Sequence, residues 1–158
     1  MHFVLFAAAA FSAPGSWQFA TEHDPLGQPV YIAVIAPELE RPYVALKFLC
    51  GGVEGGALQF NLGTMAKDFS TKEPKFEDVR FEFPEGKYDS AAQRAPLTDG
   101  IDTFEIKGSE AAFIAGLMTD SEQVTISRAA SSLTFSLAGA KYAIDEVKNA
   151  CPFKYKDT

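Results

Sequence analysis

Apolar and polar residues alternate with a period of two along most of this chain from Trp17 onward, in short runs closed by Gly, Pro, Asp or Asn. Such alternation is typical of strands that bury one face. The clearest runs are Val44-Leu46-Phe48-Cys50, Leu58-Phe60-Leu62, Val79-Phe81-Phe83 and Leu133-Phe135-Leu137. Segment 29–36 is apolar at both parities, which predicts an interior strand covered on both faces. Weaker strand patterns occupy 17–21, 101–107 and 124–128.

Two segments change to the 3.6-residue period of a helix. The first, 109–119, begins at Ser109, the expected N-cap. The helical face that its apolar residues share consists of Ala112, Phe113, Gly116 and Leu117. The second, 139–150, is stopped by Pro152. Its apolar stripe consists of Ala140, Ala143, Ile144, Val147 and Cys151. We expect two short amphipathic helices lying on a sheet.

The whole pattern predicts a mainly β, α+β fold. We expect an antiparallel, β-sandwich-like single domain of about 7–9 short strands with the two helices. With 158 residues, of which 47% are apolar, the chain can bury a core without help from metals. The polar, punctuated segments 68–78 and 85–100 are predicted to be loops within that domain.

The N-terminus resembles a secretory signal. Residues 3–11 form an apolar run, and 10–12 place small residues at both positions that a signal peptidase inspects. We predict a cleaved signal peptide over 1–13 and an exported, periplasmic domain over 14–158. Because residues 1–2 lack the basic charge of most signals, an apolar N-terminal strand is the alternative. The run is far shorter than the roughly 20 residues of a membrane-spanning helix, so no transmembrane segment is expected.

Charge restricts the choice of partner. The net charge of −7, from 21 acidic and 14 basic residues, argues against nucleic acid, because phosphate-binding surfaces concentrate Lys and Arg. An acidic surface instead helps to steer a domain toward a basic partner. The aromatic residues are mostly Phe, 14 in number, which is typical of a core rather than of a sugar-binding face. We expect a protein partner.

The segment 48–60, FLCGGVEGGALQF, combines a cysteine with four glycines. Cys50 shares a strand face with Phe48, and Cys151 lies on the apolar stripe of its helix, so both should face the core. In an exported chain such a pair is expected to form one disulfide. Two buried free thiols, or a reactive nucleophile, are the alternatives. The GGVEGG motif lacks the Lys-Ser/Thr of a P-loop and precedes a strand pattern, so it predicts a hairpin turn.

Patterns that carry catalysis or bind metals are weak. His23, in Glu-His-Asp-Pro, is interpreted as part of a solvated turn, and Trp17 as an anchor of the core. Asp99, Asp102 and Glu105 lack the spacing of a calcium loop, and Asp99-Gly100 is interpreted as a turn. A carboxylate pair for glycan hydrolysis stays open, since nothing selects one. We therefore predict a non-enzymatic protein with no catalytic residue, no cofactor and no metal.

Three parts of the chain together resemble a known family. They are SWQFATEHDPLGQPVYIAV, with a Trp, an Asp-Pro and then a strand; YVALKFLC, a strand ending in Cys; and SLTFSLAGAKYAIDEVKNAC, a strand, Gly, helix and Cys. Their order resembles the small exported proteins related to the type VI secretion-associated accessory proteins of the TagO kind. The resemblance covers most of the chain from Trp17 to Cys151. It implies a periplasmic domain with a two-cysteine tie, no known enzymatic activity and an accessory role.

These observations lead to one main hypothesis and three others. The main one is a periplasmic accessory or binding protein that acts through protein–protein contacts in the cell envelope, in the manner of a secretion-associated protein. The others are an inhibitor of a basic lytic enzyme such as a lysozyme, a stable accessory subunit of a membrane complex, and a carboxylate-dependent hydrolase of cell-wall glycan.

Overall fold

The computed structural model describes residues 15–35, 44–51, 53–65, 76–94 and 101–151. The predicted signal peptide, the expected turn at Asp99-Gly100 and Gly52 of the hairpin motif lie outside the described residues. Within these ranges the elements are, in chain order, β1 (Trp17–His23), β2 (Pro29–Ile35), β3 (Ala45–Gly51), β4 (Val53–Met65), β5 (Phe76–Phe83), β6 (Gly86–Arg94), β7 (Ile101–Lys107), α1 (Ser109–Thr119), β8 (Gln123–Arg128), β9 (Ser131–Ser136) and α2 (Ala140–Ala150).

The described strands form one antiparallel sheet. Their order is β1-β2-β3-β4-β7-β6-β5-β8-β9, and each pair of neighbours runs antiparallel. The predicted mainly β, α+β fold is confirmed, and so are the weaker strand patterns, which became β1, β7 and β8. Neither described helix is long and apolar enough to cross a membrane.

The sheet is bent into a sandwich-like shape. Phe60 on β4 and Phe81 on β5 are three strands apart in the sheet order, which in a flat sheet would separate them by about 14 Å. Their ring centroids are only 5.8 Å apart, in an edge-to-face contact. We place the bend at the pairing of β6 with β7, which within the described ranges is short: Gln93 pairs with Glu105, and Arg94 with Phe104. The two halves therefore face each other across one core.

Trp17 links the start of β1 to the end of β9 by two hydrogen bonds. Its backbone N–H donates to Ala138 O and its indole Nε1 donates to Ser136 O, both at 2.9 Å. The side chain is 5% exposed, which confirms the predicted core anchor. A Cβ at Gly139 would lie 3.2 Å from Trp17 O, and Gly139 has a φ of +80°. Only glycine suits this close approach.

The second helix packs as predicted. Ala140, Ala143, Ile144 and Val147 are fully buried, and α2 lies against β1, β2 and β3. The predicted inward faces of the clearest strands are also confirmed, since Leu46, Phe48, Cys50, Leu58, Phe60, Val79, Phe81, Phe135 and Leu137 all belong to the core. The hairpin prediction is confirmed, because β3 and β4 are antiparallel neighbours with Gly51 opposite Val53. It was wrong in extent, because Val53 to Gly56 of the GGVEGG motif belong to β4 and Gly56 pairs with Cys50.

The prediction of loops was partly wrong. Segment 85–100 contains β6, and the end of 68–78 forms the start of β5. The strand pattern was hidden because the inner face of these strands carries polar residues. Ser90 and Arg94 of β6, and Glu77 of β5, point to the same side as buried Ala92 and find polar partners there. Apolar alternation, the main signal for strands, is absent where buried polar groups pair with one another.

The prediction for the first helix was correct in extent and wrong in orientation. The N-cap is Gly108 rather than Ser109, with no side-chain cap bond. The buried residues are Ala111, Ile114, Ala115 and Met118. The face predicted to lie on the sheet is instead the outer one. The sequence is apolar nearly all round this helix, so its periodicity did not distinguish the two faces.

Candidate functional site

The outer face of α1 is apolar and accessible. Phe113 is 53% exposed and Leu117 is partly exposed, and Ala112 and Gly116 complete the face. A helix that is apolar all round is usually buried in a large core or covered by a partner. In this small domain the outer face of α1 is therefore the first candidate for a contact surface.

A groove lies between this face and the β5–β6 hairpin. Its apolar lining consists of Phe83, Tyr88, Phe113 and Leu117. The cavity measures about 350 Å³, near the lower end of the roughly 300–1,000 Å³ of ligand pockets. The rings of Tyr88 and Phe113 pack with centroids 5.2 Å apart. A cavity of this size and lining suits an inserted apolar or aromatic side chain. We call it the α1 groove.

Hydrogen bonds fix Tyr88 in the wall of the α1 groove. Its hydroxyl donates to Glu110 Oε1 at 3.3 Å, and Ser90 Oγ donates to the same oxygen at 2.5 Å. Glu110 lies in the first turn of α1, where a carboxylate is favoured by the helix dipole. Desolvation by burial, and then the charge and hydrogen bond of Glu110, raise the pKa of Tyr88 above its ordinary value. The tyrosine is thereby kept neutral and oriented.

The rim of the α1 groove carries Glu85, Lys87, Asp120 and Ser121. Ser121 Oγ donates to Glu85 Oε2 at 3.0 Å, which holds the two sides of the rim together. Lys87 Nζ lies 3.9 Å from Glu82 on the outer side of the hairpin. The carboxylates of Glu85 and Asp120 are therefore more available to an incoming ligand than the ammonium of Lys87, which lies near Glu82.

Lys141, whose charge interacts with that of Asp120, is also paired elsewhere. Lys141 Nζ donates to Asp145 Oδ2 at 2.9 Å, and this bond is the main cause of the raised pKa of Lys141. Asp120 contributes a smaller electrostatic effect on the same lysine. Among the charged residues that line the α1 groove, the carboxylates Glu85 and Asp120 outnumber the single lysine, Lys87. Lys148 Nζ lies beside Gly116 on the outer face of α1.

A second cluster of charges lies on the inner face, at the other end of the bent sheet. Asp102, 5% exposed at its side chain, contacts Arg94 Nε at 2.8 Å and Arg128 Nη2 at 2.9 Å. Glu77 contacts Arg128 Nε at 2.5 Å and Arg94 Nη2 at 3.6 Å. The guanidinium of Arg128 also lies 4.2 Å from the ring centroid of Phe104, a cation–π distance.

The charges of this cluster balance. Its two arginines face two carboxylates, and it joins β5, β6, β7 and β8 where the sheet bends. The contact of Arg94 Nε with Asp102 Oδ1 is an ion pair that lacks the alignment of a good hydrogen bond. The four side chains pair with one another, so the cluster links the strands at the bend through ion pairs.

The predicted disulfide is present. Cys50 and Cys151 are bonded, with their Cα atoms 5.7 Å apart, and the described residues contain no free cysteine. The alternatives of buried thiols and a nucleophile are therefore wrong. The bond ties the end of α2 to the end of β3 and is typical of proteins from an oxidising compartment.

The other residues considered from the sequence do not come together in one site. His23 is exposed at the end of β1, and Asp24 Oδ1 accepts bonds from the backbone of Leu26 and Gln28, so the turn is confirmed. Glu105 accepts a bond from Gln59 on the outer face of the sheet, opposite to buried Asp102. Among the described residues, no group of three or more His, Cys, Asp or Glu is placed to hold a metal.

Sequence reasoning missed the α1 groove. It placed Phe113 and Leu117 against the sheet and assigned Tyr88 to a loop. The signal that could have revealed the groove was the apolar character of both faces of 109–119, which exceeds what one buried stripe requires.

Comparison with known proteins adds no relative. No protein-family model matches this chain, and neither the curated proteins nor the solved structures contain a significant match.

Proposed function

We propose that this protein is a non-enzymatic binding or accessory domain of the periplasm that acts through protein–protein contacts at the α1 groove. The observation that carries the proposal is the outward apolar face of α1, with Phe113 53% exposed beside a cavity of about 350 Å³. An accessory role of the secretion-associated kind is consistent with the sequence resemblance to the TagO-like exported proteins.

Two further features support this function. The Cys50–Cys151 bond suits an oxidising compartment such as the periplasm. The walls of the groove are fixed by the core below α1 and by the bonds of Glu110, so the site is formed before a ligand arrives. Preformed surfaces lose less conformational entropy on binding than mobile ones.

Quantitative affinity purification from the cell envelope tests the proposal. Three baits are compared by isotope labelling: the wild type, Phe113→Ser with Leu117→Ser, and the matched control Tyr142→Ser. Tyr142 is 67% exposed on α2, away from the groove. We expect proteins that are enriched by the wild type and the control and lost with the double variant. Identical sets from all three baits would show that the groove is not the contact surface.

A second candidate function is inhibition of a basic lytic enzyme. The excess of carboxylates around the α1 groove and the net charge of −7 favour association with a basic surface. An inhibition assay against several lysozymes, with the Phe113→Ser Leu117→Ser variant as control, decides this candidate. Absence of inhibition at micromolar protein removes it.

A further inference from the structure

We propose that the occupant of the α1 groove is a basic segment of a partner protein, which inserts one aromatic side chain and places a neighbouring Lys or Arg against the rim. This inference rests on the proposed function and adds the chemistry of the partner. It follows from two properties of the site, the apolar depth of the cavity and the distribution of charge around its mouth.

The apolar lining of the groove favours an aromatic side chain as the inserted group. The lining residues Phe83, Tyr88, Phe113 and Leu117 offer ring faces, ring edges and an aliphatic group. Aromatic rings prefer such offset and edge contacts, which are worth about 0.5–1.5 kcal/mol beyond the burial of area. A flat aromatic side chain therefore fits between the ring of Phe113 and the hairpin better than a branched aliphatic one.

The charges at the mouth of the groove favour a basic residue next to the inserted side chain. Glu85 lies at the hairpin turn and Asp120 at the end of α1, on opposite sides of the cavity. Lys87 lies near Glu82, and Lys141 is paired with Asp145. A cation next to the inserted ring would meet the two rim carboxylates, whereas an acidic flank would be repelled.

Peptide titrations followed by amide NMR test this inference on the full chain. The probes are acetylated, amidated peptides: Gly-Gly-Phe-Lys-Arg-Gly-Gly, its acidic analogue Gly-Gly-Phe-Glu-Glu-Gly-Gly, and Gly-Gly-Ser-Lys-Arg-Gly-Gly without the ring. We expect the first to shift the amides of Tyr88, Phe113, Leu117 and Ser121, and to bind more tightly than the other two. Neutralising the rim with Glu85→Gln and Asp120→Asn should weaken it about fivefold.

A matched control separates local from overall charge. Asp78→Asn with Asp89→Asn removes the same charge from the outer face of the β5–β6 hairpin, and it should leave the affinity of the basic peptide nearly unchanged. Raising the salt concentration should weaken binding to the wild type more than to the rim variant.

The outcomes that overturn the inference are distinct from failure of the proposed function. Equal binding of the basic and acidic peptides, lost in Phe113→Ser, would contradict the basic partner and leave the groove as a contact surface. No shift at the groove with any peptide at millimolar concentration would also overturn it. Concentration-dependent shifts of Phe113 and Leu117 without peptide would identify a second copy of the chain as the occupant instead.

Discussion

Tyr88 and Phe113 pack their rings with centroids 5.2 Å apart, and this contact joins the β5–β6 hairpin to the outer face of α1. Phe113 is nonetheless 53% exposed, so the contact covers only part of its ring. The rest forms the wall of the α1 groove. A large aromatic residue that is held in place and still accessible is typical of a binding surface.

The orientation of α1 predicts losses of stability of different size at two adjacent residues. Ile114→Ala, on the fully buried face, should lower the free energy of unfolding by about 2–5 kcal/mol. Phe113→Ala should lower it by about 1 kcal/mol, mainly through loss of the ring contact with Tyr88. Urea denaturation of both variants measures the difference. A larger loss for Phe113→Ala would mean that the helix packs the other way round.

The disulfide should make a large contribution to stability. Cys50 and Cys151 are 101 residues apart in sequence, and the chain-entropy model assigns such a link about 4–5 kcal/mol. We expect the Cys50→Ala Cys151→Ala variant to be destabilised by this amount in chemical denaturation. The reduced and alkylated wild type provides the comparison. A change below about 1 kcal/mol would contradict the expected role of the bond in holding α2 on the sheet.

The buried cluster at the bend should respond strongly to loss of one partner. Asp102→Ala removes the more buried of the two carboxylates that Arg94 and Arg128 share, and breaking such a buried pair costs about 3–5 kcal/mol. Asp89→Ala is the control, because Asp89 pairs with Arg80 at the exposed surface and should matter little. Thermal and urea unfolding compare the two. Similar effects would show that the cluster does not stabilise the bend.

The environment of Tyr88 predicts a change of stability at alkaline pH. Its pKa is raised in the folded protein, so the folded state holds the proton after the unfolded state, with a pKa of about 10, has begun to release it. The contribution of neutral Tyr88 to the free energy of unfolding is complete below the pKa of the unfolded state. It is lost as the pH rises through the raised pKa of Tyr88 in the folded state. Phenolate absorbance should show one late-titrating tyrosine that disappears in Tyr88→Phe. A late component that persists in Tyr88→Phe would assign the shift to another residue.

The sequence predicted those parts of the fold in which each element buries one apolar face. The strands around Phe48, Phe60 and Phe135 and the stripe of α2 followed this rule, as did the pairing of Cys50 with Cys151. The strand β6 did not, because Ser90 and Arg94 on its inner face pair with the polar residues Glu110 and Asp102, and this pairing leaves no apolar alternation.

The groove could not be predicted for a related reason. Its residues come from a hairpin and a helix whose distance is set by the bend of the whole sheet, which local periodicity does not encode. The helix itself carried a signal in its excess of apolar residues. That signal identifies an interface only once the structure shows which face is already buried.

Site-specific photo-crosslinking is the most direct test of whether the α1 groove binds another protein. A benzophenone amino acid is placed at position 113 or at the control position 142 of the full chain, in intact cells of the source organism. We expect position 113 to form a discrete crosslinked adduct with another protein. The adduct should be absent when the crosslinker is at position 142 and should be lost in the Leu117→Ser variant. Crosslinks from 113 only to the chain itself, or equal labelling from both positions, would contradict a binding function of the α1 groove.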